Sequence, residues 1–213
     1  MMRITVFGAT GRIGAAAVEQ GLEAGHKVVA VVRASSKYEV RHPALEVVKV
    51  SGLSTASELV AAVDGAEAVL SGVGPRGRKD GPVTSSSTRA ITQAMQETGV
   101  RRYVGVSAAP VGPIPPGDSL LNRAFIHPFF GWMLKETYGD LALMEKELAD
   151  SGIEWTVVRP PKLVSKPVTG VYRTALDANI PRGLSISRED TAHFMLTALA
   201  DPMMIGHAVG IAY

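Results

Sequence analysis
Gly8, Gly11 and Gly14 stand three residues apart in RITVFGATGRIG, between an apolar β-prone run and the helix-forming Ala15, Ala16, Ala17 and Val18. A strand that breaks into a helix at three glycines suits one task, holding a phosphate against bare backbone. Gly8 allows the tight turn, Gly11 lets an anion approach without meeting a Cβ, and Gly14 lets the helix pack closely on the strand. The free N–H groups and positive dipole end of that helix then face a pyrophosphate. The spacing is G-x-x-G-x-x-G, where a merely structural turn would need one glycine.

The next chemical signal is Arg33, which closes the apolar run Lys27–Val32 about 20 residues past the glycines. A carboxylate at this point accepts from the 2′-hydroxyl of a ribose, whereas a guanidinium suits a 2′-phosphate. Arg12, inside the glycine loop, adds a second cation on the same side. The cofactor expected is therefore NADP (NADPH) rather than NAD. Arg76, in a loop with Gly72, Gly74 and Gly77, is a candidate phosphate or ribose contact. Ser107 ends a strand and can point its hydroxyl at the nicotinamide side, though serine at a strand end is also a routine turn former. Lys162 follows Pro160 and Pro161. It can steady a developing negative charge or donate a proton if buried; otherwise it is simply solvated.

One arrangement is missing. Alcohol dehydrogenases of the short-chain kind place tyrosine four residues before lysine on a helix, so that the ammonium assists the phenol in moving a proton. Four residues after Tyr38, Tyr103, Tyr138 and Tyr172 stand His42, Ser107, Ala142 and Leu176, and Tyr213 is the last residue. Alcohol oxidation and sugar epimerisation by that machinery are not expected. An acceptor that spreads negative charge, such as a flavin, a quinone or a conjugated tetrapyrrole, needs no strong acid at the moment of transfer.

The elements that must position these residues alternate. Strands are expected at Arg3–Phe7, Lys27–Val32, Leu45–Val50, Glu67–Ser71, Arg102–Ser107, Trp155–Arg159 and His207–Ala212. Helices are expected after Gly14 and over Ala56–Val63 (opened by a Thr55–Glu58 capping box), Ser85–Thr98, Tyr138–Ser151 and Thr191–Ala200 (capped by Ser187). Short strands are expected within Val164–Arg173. Such alternation specifies an α/β fold, a doubly wound parallel sheet of the Rossmann kind, with ligands at the carboxyl ends of its strands. Residues 1–213 read as one domain, with 108–135 and 160–186 as substrate-side loops. The proline-rich Ala108–Asp118 reads as loop. The apolar Leu120–Leu134, with Phe125, Phe129, Phe130 and Trp132, reads as a lid or a piece packed on the core; His127 within it reads as structural.

Composition narrows the partners. With 22 basic and 20 acidic residues the net charge is +2, so no strong field recruits nucleic acid or a membrane. The absence of cysteine excludes disulfides and thiolate catalysis. The expectation is a cytoplasmic protein, monomer or weak homodimer, without a leader or a membrane span, whose partner is a small-molecule hydride acceptor.

GATGRIG, VVAVVRASSK, Gly99–Ser107, DLALMEKELADSGIEWTVVRPP, PVTGVY and ISREDTAHFMLTAL together resemble the atypical short-chain dehydrogenase/reductase group. That group includes enzymes of the biliverdin IXβ reductase (NADPH-dependent flavin reductase) type and the NmrA-like regulators. The resemblance implies that Gly8, Thr10, Gly11, Arg12, Ile13 and Arg33 hold the cofactor's phosphates and adenosine ribose. It also implies that Gly74, Arg76, Ser107 and Pro161 line the nicotinamide end. The chain departs from the group's pattern at Ser51-Gly52 (Gly-Asp expected), Ala108 (serine expected), and Lys162 and Leu141 (histidines expected). The alternative to a reductase is a non-catalytic NADP(H)-binding redox sensor of the NmrA-like type. An isomerase or dehydratase that keeps its cofactor bound is a third reading, though no positioned acid–base pair is visible for it.

Overall fold
The strands β1 (Arg3–Phe7), β2 (Lys27–Arg33), β4 (Ala68–Ser71), β5 (Arg102–Val106) and β6 (Glu154–Arg159) are apolar runs without in–out alternation. Such runs form where both faces of a sheet are covered. The computed structural model, which describes residues 1–75, 77, 81–113 and 135–213, shows this arrangement. With β3 (Leu45–Val50), β10 (His207–Ala212) and β8 (Arg173–Leu176) these strands make an eight-stranded sheet in the order β3-β2-β1-β4-β5-β6-β10-β8. Every neighbouring pair is parallel except β10 with β8. The expected doubly wound Rossmann-like sheet is therefore present. A separate parallel pair joins β7 (Lys162–Val164) to β9 (Ser185–Ser187).

α1 (Arg12–Glu23) lies against one face of the sheet. It buries Ala16, Ala17 and Val18 in a cluster with Val6, Val28 and Leu70. α2 (Val60–Val63), α3 (Val83–Thr98) and α4 (Lys135–Asp150) cover the other face, where Ile91, Met95, Met144 and Leu148 pack on Phe7, Val69 and Tyr103. α5 (Arg188–Leu199) returns to the α1 side and adds Phe194, Met195 and Ala198 to that core. The chain leaves β1 for β2 on one side, and β4 takes the other. The crevice above β1 and β4 is thus the topological switch point at which such sheets bind ligands.

Helix ends differ in how their backbone groups are satisfied, and the difference bears on the site. Ser187 caps α5 as its spacing implies, its hydroxyl accepting from the Asp190 N–H at 2.9 Å. α3 has no cap of its own. The buried Asp140 of α4 instead accepts from the N–H groups of Thr84 (2.8 Å) and Ser85 (3.1 Å) and from the Ser85 hydroxyl. Asp140→Ala removes acceptors from three buried donors and is expected to lower stability by about 2–3 kcal/mol, read as a shift of the urea midpoint at constant m.

Three expectations are corrected. Ala56–Val63 is not one helix: Ala56–Glu58 is a 3-10 turn and only Val60–Val63 is α-helical. The capping box fails because Thr55 caps nothing and the Glu58 carboxylate accepts from Ser51 instead, through its N–H at 3.3 Å and its hydroxyl. The segment between Val164 and Arg173 contains no strand of its own. β7 and β8 flank it, and Thr169 and Gly170 inside it donate to Asp190 rather than to a ladder. Within the loop expected from Ala108, Ala109–Val111 forms a 3-10 turn, with Pro110 at a position that needs no donor. Leu120–Leu134, with His127, lies outside the described residues.

Candidate functional site
The glycine turn is built by close contact between three backbones. Gly8 has φ +75°, and a Cβ on it would lie 2.8 Å from the carbonyl carbon of Gly72 at the end of β4. A Cβ on Gly14 would lie 2.6 Å from the carbonyl carbon of Gly8, and one on Gly72 would lie 3.0 Å from the Gly14 nitrogen. β1, α1 and β4 therefore interlock through positions that admit no side chain. Gly11 donates to the Gly8 carbonyl at 2.8 Å, and its own carbonyl accepts from Ala15 at 2.8 Å to start α1. Among the described residues nothing accepts from the N–H groups of Arg12, Ile13 and Gly14, and no side chain caps the helix. α3 and α5 have their first turns occupied by carboxylate and hydroxyl oxygens, whereas α1 presents an open N-terminus.

That N-terminus faces a cavity of about 690 Å³ at the carboxyl ends of β1, β2, β3 and β4. The size falls in the range of small-molecule sites. Of the residues singled out from sequence, Gly8, Thr10, Gly11, Arg12, Ile13, Arg33 and Gly74 line it. Arg12 is exposed and Arg33 half-buried; neither makes an ion pair among the described residues. No aspartate or glutamate belongs to the described lining. The cavity therefore presents open amides and uncompensated cations, the setting an anionic ligand requires.

The other expected residues stand apart. Arg76 lies outside the described residues. Ser107 follows β5 and is buried; its N–H donates to the Val158 carbonyl at 2.8 Å, and its hydroxyl has no hydrogen-bond partner among the described residues. Pro161 and Lys162 do not line the cavity, although Leu163 beside them does. Lys162 is exposed on β7, so the burial its proposed acid role requires is not present. Leu141, where the resemblance would put a histidine, is core on α4.

Ser51-Gly52, where the resemblance would put a Gly-Asp pair, lines the cavity with further residues. Ser51, Gly52, Leu53 and Ser54 follow β3, while Val83, Ser86 and Ser87 come from the first turn of α3. The rule that ligands sit past the carboxyl ends of strands pointed to the first group. Although Ser51-Gly52 replaces an acidic pair, a carboxylate does stand here, since Glu58 accepts from Ser51; that hydrogen bond holds the Glu58 carboxyl below its ordinary range. Arg188, at the start of α5, also lines the cavity, and its Nη1 donates to Ser165 at 3.0 Å. Nothing local marks it as a cavity residue, because its placement depends on the pairing of β7 with β9.

The start of α5 is fixed by Asp190. Burial alone would raise its pKa. Hydrogen bonds from the Tyr213 hydroxyl (2.6 Å), the Thr169 and Gly170 N–H groups (2.7 and 2.9 Å) and the Thr169 hydroxyl (2.9 Å) outweigh burial and hold it down to about 2. A carboxyl whose pKa is lower folded than unfolded stabilises above its unfolded value, and that contribution is lost as pH falls through the folded value. Wild type is expected to lose about 2 kcal/mol between pH 4 and pH 2 from this group. In urea melts across that window Asp190→Asn should lose correspondingly less.

A mostly parallel sheet wound in this order, with a side-chain-free turn and an open helix end at its switch point, defines the class of dinucleotide-binding Rossmann proteins. The family model described as NAD(P)H-binding matches residues 8–202, and the chain belongs to that family. It is 31% identical over 206 residues to an uncharacterized chloroplastic protein of Arabidopsis thaliana, covering 92% of this chain and 71% of that one. It is 27% identical over 205 residues to an uncharacterized sugar epimerase of Bacillus subtilis, covering 93% and 88%. Among solved structures, a candidate NADH-flavin reductase of Streptococcus pneumoniae superposes with a TM-score of 0.79 at 24% identity, covering 100% of this chain and 99% of that one. A short-chain dehydrogenase/reductase of Veillonella parvula in complex with NADP gives 0.78 at 19%, covering 100% and 94%. Likenesses at that identity establish the fold. No helix among the described residues is long and apolar enough to cross a membrane, and no cluster of His, Asp or Glu among them could hold a metal.

Proposed function
We propose that this protein is an NADPH-dependent oxidoreductase that passes hydride to a flavin, a quinone or a similar conjugated small molecule. The observation that carries the reading is the cavity itself, lined by open α1 amides with Arg12 and Arg33 and by no carboxylate among the described residues. The amides of Arg12 and Ile13 would hold the pyrophosphate, and Arg33, at the end of β2, would pair with the 2′-phosphate that distinguishes NADP from NAD. A bound reduced nicotinamide supplies hydride from its C4. On this reading the chain's own work is to orient that ring and exclude water.

The epimerase named among the relatives suggests a different chemistry, but the sequence lacks the tyrosine–lysine dyad that would move the proton. An NADP(H) sensor without turnover is the second reading, favoured by one observation: no described acid–base pair stands at the cavity. Mixing protein and NADPH with a panel of free flavins, quinones and biliverdin, and following nicotinamide absorbance, separates the two. Acceptor-dependent oxidation is expected; binding of NADPH without oxidation by any acceptor would instead support the sensor.

A further inference from the structure
Arg188 is the cation that the dinucleotide leaves over. On the reading above, the pyrophosphate is met by the α1 amides and Arg12, and the extra ribose phosphate by Arg33; these groups belong to β1, α1 and β2. Arg188 enters from the start of α5, where the Glu189 carbonyl accepts from Gln20 of α1 at 3.0 Å. It follows Ser187, which pairs with Val164 across β7 and β9, and β7 begins just past β6, three places from β1 in the sheet. Leu163 of β7 lines the cavity with it, so this wall adjoins the side where a nicotinamide ring and its acceptor would fall.

Arg188 is half-buried as a residue, and its Nη1 donates to the Ser165 hydroxyl at 3.0 Å in an exposed hydrogen bond that tethers the guanidinium at the cavity wall. No carboxylate pairs with it among the described residues. Neighbouring Asp190 is engaged by Thr169, Gly170 and Tyr213, and Glu189 forms no ion pair. A guanidinium held in place at the wall of a cavity, without a protein counter-ion, is a ready partner for phosphate or carboxylate.

We propose that Arg188 anchors an acidic group on the hydride acceptor, so that the preferred acceptors are conjugated rings carrying a phosphate or carboxylate. The inference rests on the reductase reading. With flavin as acceptor, two electrons and one hydrogen pass from C4 of NADPH to N5, a solvent proton goes to N1, and the products are NADP⁺ and dihydroflavin. Arg188 makes and breaks no bond in this transfer; it selects which ring is held.

FMN and riboflavin share a ring and differ by the terminal phosphate, so their difference reads the anchor. Fluorescence titration into NADP⁺-loaded protein is expected to show FMN binding about tenfold or more tighter than riboflavin. Arg188→Gln should erase that gap while leaving riboflavin and NADP⁺ affinities unchanged, and Arg188→Lys should restore part of it. Ser165→Ala keeps the cation but frees it, and should weaken FMN about threefold. Equal affinity for FMN and riboflavin in wild type, or a gap that survives in Arg188→Gln, would overturn the proposal. So would a tenfold loss of NADP⁺ affinity in Arg188→Gln, which would place the guanidinium on the cofactor. Calorimetry of wild type with NADP⁺ keeps the two levels apart. Absence of binding defeats the reductase reading and this inference together, whereas binding of NADP⁺ without preference for FMN defeats this inference alone.

Discussion

Gly14→Ala is expected to abolish dinucleotide binding and to lower stability by about 3 kcal/mol. The added methyl would lie 2.6 Å from the Gly8 carbonyl carbon, and its neighbours there are backbone atoms that cannot rotate away. Relief requires α1 to move off β1. That shift carries the Arg12 and Ile13 amides away from the cavity they line, and it loosens Gly72, whose own Cβ position abuts the Gly14 nitrogen. Calorimetry with NADP⁺ should record no heat at concentrations that saturate wild type, and urea unfolding should show the lost stability. Gly139→Ala is the matched control. It lies exposed within α4 with nothing within 4 Å of its Cβ position, so it should gain about 0.5–1 kcal/mol, as alanine does over glycine in a helix. A Gly14→Ala protein that bound NADP⁺ like wild type would show that the turn is not where the phosphates sit.

Arg33→Asp is expected to invert cofactor preference. Loss of a charge-assisted bond to the 2′-phosphate, worth about 3 kcal/mol, corresponds to a Kd for NADP⁺ raised about 100-fold. The new carboxylate repels that phosphate but can accept from the free 2′-hydroxyl of NAD⁺, whose affinity should hold or rise. The half-buried Arg33 makes no ion pair among the described residues, so its removal strands no described partner. Paired titrations of wild type and variant with both coenzymes check this. Equal weakening of NAD⁺ and NADP⁺ would mean that Arg33 acts on something common to both.

What could be read from the sequence follows the range of the interaction responsible. β3 and β10 fall where their apolar runs place them, and α5 begins at the Ser187 cap, because each rests on signals within a few residues. The glycine turn is equally local, although the tightest partner of Gly8 is Gly72, more than sixty residues on. Ala56–Val63 does not form one helix because a capping box requires its glutamate to turn back to its own helix, and Glu58 reaches Ser51 instead. No local signal marks how the first turn of α3 is satisfied, since its acceptor, Asp140, comes from α4, more than fifty residues on. Within the site, the β1–β2 half was legible from glycines and arginines. The half that Arg188 and Leu163 contribute exists only once β7 and β9 pair, which no spacing announces. Lys162 and Leu163 illustrate the limit: alternation along β7 decides which of the two faces the cavity, and it is the leucine.

The account rests on α1's open end and the cationic rim holding a phosphorylated nicotinamide dinucleotide. The most direct measurement is isothermal titration of the wild-type protein with NADP⁺ and, separately, NAD⁺. The prediction is a single saturable site for NADP⁺ that binds more tightly than NAD⁺, with an advantage that shrinks as salt is raised. An absence of heat from both coenzymes would contradict the account.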